Sequence, residues 1–153
     1  MKPIELTEDF LLSIRKPARY IGEEHNIIKK EWDKTDVKFC LCYPDLYEIG
    51  MSNLGVKILY HILNRHDGVL CERSFTPWLD MEEAMIKNNI PLFSLESKVP
   101  LSEFDILGFS FSKIFLICLS DRPNRTRSFR KRAFFISNMP NSKNLLSRPN
   151  FLK

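Results

Sequence analysis

Glycine, valine and glutamate are missing from the last 41 residues of this 153-residue chain, and that stretch carries one acid against ten Lys/Arg. All five glycines lie before position 113, and none stands in GxGxxG or Walker spacing, which excludes a Gly-rich phosphate loop. No run approaches the roughly 18 apolar residues of a membrane-spanning helix. The first 20 residues hold three acids and no sustained apolar core, unlike a signal peptide. Histidine is scarce. His61 and His66 stand five apart, off the i,i+4 spacing of a helical metal pair, and His25 sits alone in a charged stretch, so all three are expected near the surface. Cys40, Cys42, Cys71 and Cys118 are scattered through strand-like apolar segments. Buried, reduced thiols in a cytoplasmic protein explain them better than a disulfide framework. Cys40 and Cys42 share one sheet face at period two, a spacing that suits core thiols before a metal. Glu82 and Glu83 are adjacent and so point to different sides of a helix, which excludes an acid–base pair. Glu72 and Arg73 alternate across a strand, where surface ion pairs are the expectation.

What remains is a chain with 44% apolar residues, long enough for one domain with a core. Its net charge of +4 conceals two unlike parts. Residues 1–112 hold 13 Lys/Arg against 18 Asp/Glu, so the excess of base lies entirely in residues 113–153. Gly, Ala, Val, Asp and Glu are the amino acids whose codons begin with G. The first 112 residues contain 29 of them and the last 41 contain two, Asp121 and Ala133, where proportion gives about ten. Coding frames favour G at the first codon position, so the deficit reads as a frameshift, or an equivalent disruption, near residue 112.

Before that break the organisation is legible. Residues 1–36 form a charged leader with a short helical pattern around 8–14. Val37–Tyr43 reads as a first strand, and a Pro-Asp turn with Gly50 leads to a helix from about Ser52 to His66. Leu54, Ile58, Leu59, Ile62 and Leu63 give that helix one stripe expected to be buried. Asp67-Gly68 ends it. A second strand at Val69–Phe75, a helix at Asp80–Asn88, a brief strand at Leu92–Leu95 and a strand at Asp105–Phe111 follow. Ile114–Leu119 reads as strand or helix, and no periodicity is visible from Asp121 onward. Strands alternating with helices predict a parallel sheet with right-handed crossovers. In such sheets ligands bind outside the carboxyl ends of the strands, which makes Val37–Gly55 the expected site.

The blocks Lys16-Pro17-Ala18-Arg19-Tyr20-Ile21-Gly22 and Tyr43-Pro44-Asp45-Leu46-Tyr47-Glu48-Ile49-Gly50-Met51-Ser52 carry a resemblance. So do Ile58–Asn64, Cys71-Glu72-Arg73 with Pro77-Trp78, Pro91–Ser97 and Phe104–Ser110. In this order, over roughly residues 15–111, they resemble the opening of radical SAM proteins with an N-terminal cobalamin-binding-like domain. The resemblance implies an α/β fold: an incomplete Rossmann-like (cobalamin-binding-like) parallel sheet with flanking helices at 37–112, between the leader at 1–36 and a disordered basic tail at 113–153. It also implies a radical SAM barrel further on, whose CxxxCxxC loop holds a [4Fe–4S] cluster that cleaves S-adenosylmethionine. No CxxxCxxC occurs in this chain. A cluster needs its thiolates, so the chain is expected to be an N-terminal piece, not catalytic alone, partnered by the remainder of a split radical SAM protein.

Cobalamin is the cofactor that the resemblance implies for the first junction. Cobalamin domains carry D-x-H-x-x-G there, the histidine supplying the lower cobalt ligand, and the matching positions here are Asp45, Tyr47 and Gly50. Tyrosine thus replaces histidine, and a neutral phenol is a poor metal ligand beside imidazole. The implied cofactor-binding positions are Asp45, Tyr47, Gly50, Ser52 and Ser110. The plainer reading is that Asp45 caps the turn, Gly50 supplies a permissive backbone and Tyr47 packs.

The basic run 122–132, RPNRTRSFRKR, has two readings of its own. One is a small nucleic-acid-binding protein with an RNA-binding arm, Phe129, Phe134 and Phe135 stacking on bases. The other is an out-of-frame tail that sticks to nucleic acid non-specifically.

Overall fold

The computed structural model describes residues 2–111, with side chains to Ser110, and the backbone strands 114–119 and 134–136. The basic run 122–132 therefore lies outside the described residues, as does any test of a tail at 113–153 as a unit.

Strand β1 (Val37–Tyr43) is central, with β2 (Val69–Phe75) and β3 (Ile106–Phe111) parallel to it on either side. This is the parallel α/β sheet that alternating strand and helix patterns required. Strand β4 (Ile114–Leu119) pairs antiparallel to β3 and β5 (Phe134–Ile136) antiparallel to β4, giving the order β2-β1-β3-β4-β5. The open choice at 114–119 thus resolves as strand. β5 lies in a stretch without visible periodicity, and only its pairing defines it.

Helices α1 (Glu8–Leu12) and α2 (Ala18–Ile21) belong to the leader, α3 (Tyr47–Ser52) and α4 (Leu54–Asn64) join β1 to β2, and α5 (Leu79–Lys87) follows β2. Tyr47–Gly50 is helix rather than turn. The break comes at Asn53, whose extended backbone ends α3 and whose side chain accepts from Val56 N at 3.1 Å to cap α4. Leu92–Leu95 does not form a ladder strand; its one β-bridge joins Phe93 to Pro100.

Register places Phe39, Leu41, Cys71 and Arg73 on one face of the sheet, where Tyr60 of α4 packs. Cys40 and Cys42 lie on the other with Val99 and Phe104. A third cluster joins the leader to α5 through Ile14, Met81, Met85 and Phe93. Burial of α4 differs from the expected stripe. Its inward residues are Val56, Tyr60 and Asn64, flanked by partly buried Leu59 and Leu63, while Leu54, Ile58 and Ile62 face outward. Tyr60 and Asn64 win the inward positions because each finds a buried hydrogen-bond partner, which an aliphatic stripe does not need.

Candidate functional site: the sealed edge of the second strand

β2 is the outer strand of the sheet, so its free N–H and C=O groups must find partners elsewhere. Side chains supply most of them. Lys30 Nζ donates to Val69 O at 2.7 Å and also to Asn64 O and His66 O, closing the end of α4. The Asn64 amide donates to Cys71 O at 2.9 Å and accepts from Cys71 N at 3.0 Å, imitating a neighbouring strand. Glu96 Oε2 accepts from Arg73 N at 2.8 Å, and Leu95 N donates to Arg73 O at 2.7 Å. This is why Leu92–Leu95 makes no ladder: a carboxylate takes the place of a strand carbonyl.

The same carboxylate holds the Arg73 side chain, Nε donating to Glu96 Oε1 at 2.6 Å. Arg73 also reaches Glu24 of the leader at 3.3 Å and lies 4.5 Å from the Tyr60 ring centroid. Glu72 points to the opposite face and accepts from Ser97 Oγ at 2.7 Å. The expected surface pairs at Glu72 and Arg73 are thus corrected: their residues are 3% and 6% exposed. The alternation across the strand is real, but both faces and the outer edge of β2 are covered.

Burial pushes the Glu96 carboxyl up to about 7, outweighing the downward pull of Arg73; Glu72 adds to the rise. Arg73 keeps Glu24 as a second counter-ion. A carboxyl whose folded value lies above its ordinary 4.5 binds protons more readily folded than unfolded. Its contribution is therefore fully present below pH 4.5 and lost as pH rises through about 7. Urea midpoints should accordingly fall between pH 5 and 8 in the natural chain, and fall less in Glu96→Gln. Equal pH slopes would remove Glu96 as the cause.

The five positions expected to bind a cofactor make contacts within the fold. Asp45 Oδ1 accepts from Leu46 N at 2.7 Å, and its carbonyl accepts from Thr76 N, tying the loop after β1 to the loop after β2. Tyr47 donates its hydroxyl to Glu24 Oε1 at 2.9 Å, with its ring edge-on to Phe75 at 5.6 Å. Burial and the Glu24 carboxylate push its phenol up to about 12. Gly50 has no positive φ, contrary to the permissive-backbone reading; it is buried against the Phe75 ring, which a Cβ there would overlap. Ser52 Oγ donates to Ile49 O, a local bond on the surface of α3. Ser110 lies in β3, paired with Phe115 of β4. Tyr47 and Gly50 meet at Phe75, while Asp45, Ser52 and Ser110 do not join them around a common point.

These residues do not fit a cobalamin held through a lower ligand. The one group at the ligand position is a protonated phenol committed to Glu24. A cavity near the end of β2, lined by Ser74, Phe75, Met81 and Phe93, measures about 20 Å³, the size of one water. A larger space of about 430 Å³ lies away from the strand ends, between Ile4, Leu11, Ile21 and Lys98.

Cys40, Cys42 and Cys71 are buried and unpaired, and burial holds the Cys40 and Cys71 thiols protonated, well above their ordinary range. Among the described residues no three His, Cys, Asp or Glu side chains are grouped to hold a metal ion. His25, His61 and His66 are exposed and separate. No described helix is long and apolar enough to cross a membrane.

Fold and geometry together are those of a small α/β module in which buried charges seal the outer edge of β2. Residues 55–114 match the family model described as radical SAM proteins, N-terminal. No curated protein matches the chain, and no solved structure matches it. The matched stretch contains Tyr60, Asn64, Arg73, Glu96 and Ser110, whereas Gly22, Glu24, Asp45, Tyr47, Gly50 and Ser52 precede it. The edge-sealing residues were not singled out as sites in the sequence. The available signal was a lone carboxylate, Glu96, ending the apolar block Pro91–Leu95.

Proposed function

We propose that this chain is the N-terminal, cobalamin-binding-like module of a radical SAM protein, not catalytic by itself, and that residues 113–153 come from a different reading frame. One observation carries the reading. The family match ends at residue 114, and the deficit of G-initial codons begins at residue 113. Two independent properties, likeness and coding character, change at the same place. The partner is then the remainder of the radical SAM protein, which supplies the cluster thiolates that this sequence lacks. Tyr47 offers no ligand to cobalt, so no nitrogen-ligated cobalamin is expected on this chain. Buried, unpaired thiols support a cytoplasmic setting.

The test is anaerobic reconstitution of the chain with iron and sulfide, followed by S-adenosylmethionine. The expected result is no [4Fe–4S] absorbance and no 5′-deoxyadenosine; either product overturns the non-catalytic reading. Hydroxocobalamin added to the same protein should show no nitrogen-ligated spectrum from the chain. Sequencing the locus should find the cluster motif downstream in another frame, and an uninterrupted gene in the present frame rejects the frameshift.

A further inference from the structure

We propose that the outer face of α4 is a docking surface for an acidic amphipathic helix of a partner protein, seated on the ridge Leu54–Ile58–Ile62 and held by Lys57, His61 and Arg65. This goes beyond the module reading and stands on α4 alone.

Leu54 is 69% exposed, and Ile58 and Ile62 are 47% exposed each. Single exposed aliphatic residues are ordinary, but three at i, i+4 and i+8 form a continuous row on one helix. At 3.6 residues per turn these three and Lys57, His61 and Arg65 fall within an arc of about 140°. Ile49, 47% exposed, extends the apolar surface onto α3. The ridge is not a frayed end of the fold, because the opposite face of α4 is locked down by Val56, Tyr60 and Asn64.

Charge selects the occupant. Residues 49–66 contain no Asp or Glu, although residues 1–112 carry more acid than base. Lys57, His61 and Arg65 are all exposed beside the ridge. An apolar ridge with Lys57, His61 and Arg65 interleaved along the same helix complements an apolar stripe with an acidic rim. A second copy of this chain would set Lys57 and Arg65 against like charges, which opposes self-pairing. Leu54, Ile58 and Ile62 offer a nucleic acid neither a charge for its phosphates nor a ring for its bases, so it would leave the apolar ridge uncovered. Recognition by i, i+4 anchors is a common way for helices to be bound.

The probe is a fluorescein-labelled synthetic helix of about 20 residues with leucines at i, i+3 and i+4 spacing and glutamates elsewhere, long enough to fold on contact. Its anisotropy is titrated with the full chain. The acidic helix should bind, and Ile58→Asp with Ile62→Asp should weaken binding by about tenfold or more, as a loss near 1.4 kcal/mol requires. Lys57→Glu with Arg65→Glu should weaken it too, and a lysine version of the probe should not bind. All four positions are exposed, so circular dichroism should be unchanged. No binding, or equal binding to the Ile58→Asp/Ile62→Asp chain, overturns the proposal, since the latter places the peptide on the basic residues 113–153. Sedimentation showing a dimer that the same double substitution makes monomeric also overturns it, as does single-stranded RNA bound through Lys57 and Arg65.

Discussion

Glu96→Ala should lower the stability of this domain by about 3–5 kcal/mol, because the buried Arg73 loses its nearer carboxylate and keeps only Glu24 at 3.3 Å. The residue performs two tasks with one carboxylate. It accepts from the Arg73 backbone at the free edge of β2 and from the Arg73 guanidinium beneath it. The side chains of Arg73 and Glu96 are 7% and 3% exposed, so water cannot replace either bond without opening the edge. Small domains have total stabilities of about 5–15 kcal/mol, so the loss should be visible as a large drop in the urea midpoint followed by circular dichroism. Glu96→Gln keeps an oxygen for one donor and should cost less. Equal midpoints for the natural chain and Glu96→Ala would show that the pair does not hold the edge.

Gly22→Ala should be nearly as damaging, for a different reason. Gly22 ends α2 in the left-handed region, with φ +68°, where a side chain costs roughly 1–2 kcal/mol. A Cβ there would also overlap the carbonyl oxygen of Leu95, which is backbone and cannot rotate away. Relieving that overlap moves the segment that brings Glu96 to β2, at a further cost of about 1–3 kcal/mol. The expected total is roughly 2–5 kcal/mol, with the leader and the 92–97 segment both becoming protease-sensitive. Limited proteolysis checks this, and an unchanged cleavage pattern would separate Gly22 from the edge.

Both positions belong to blocks that the sequence displays plainly, Lys16–Gly22 and Pro91–Ser97, yet their meaning was not legible there. A glycine after a short helix signals an end of that helix, but not what lies against it. Glu96 stands in the sequence only as the acid after Pro91–Leu95, and its role follows from the acceptors that β2 needs on its outer side. Tyr47 shows the same limit. Its replacement of histidine in D-x-H-x-x-G could be read directly, whereas its bond to Glu24 joins residues 23 apart. Of the expected α4 stripe, Leu59 and Leu63 pack on the core while Leu54, Ile58 and Ile62 face outward, because aliphatic residues at helical spacing name a helix without fixing which part of its surface is buried.

What the sequence determined by itself is what depends on local order: the strands at 37–43 and 69–75, the helix between them, the parallel α/β class and the compositional break after residue 112. Hydrophobic periodicity and codon character are properties of neighbours along the chain. The tertiary structure alone decided the fate of the charged and polar residues. Arg73, Glu96, Glu24, Asn64 and Lys30 are distant in sequence and meet because an outer strand exposes backbone groups that must be paired wherever water is excluded. That requirement sealed the outer edge of β2 with side chains from the leader, α4 and the 92–97 segment, while Leu54, Ile58 and Ile62 of α4 stayed exposed.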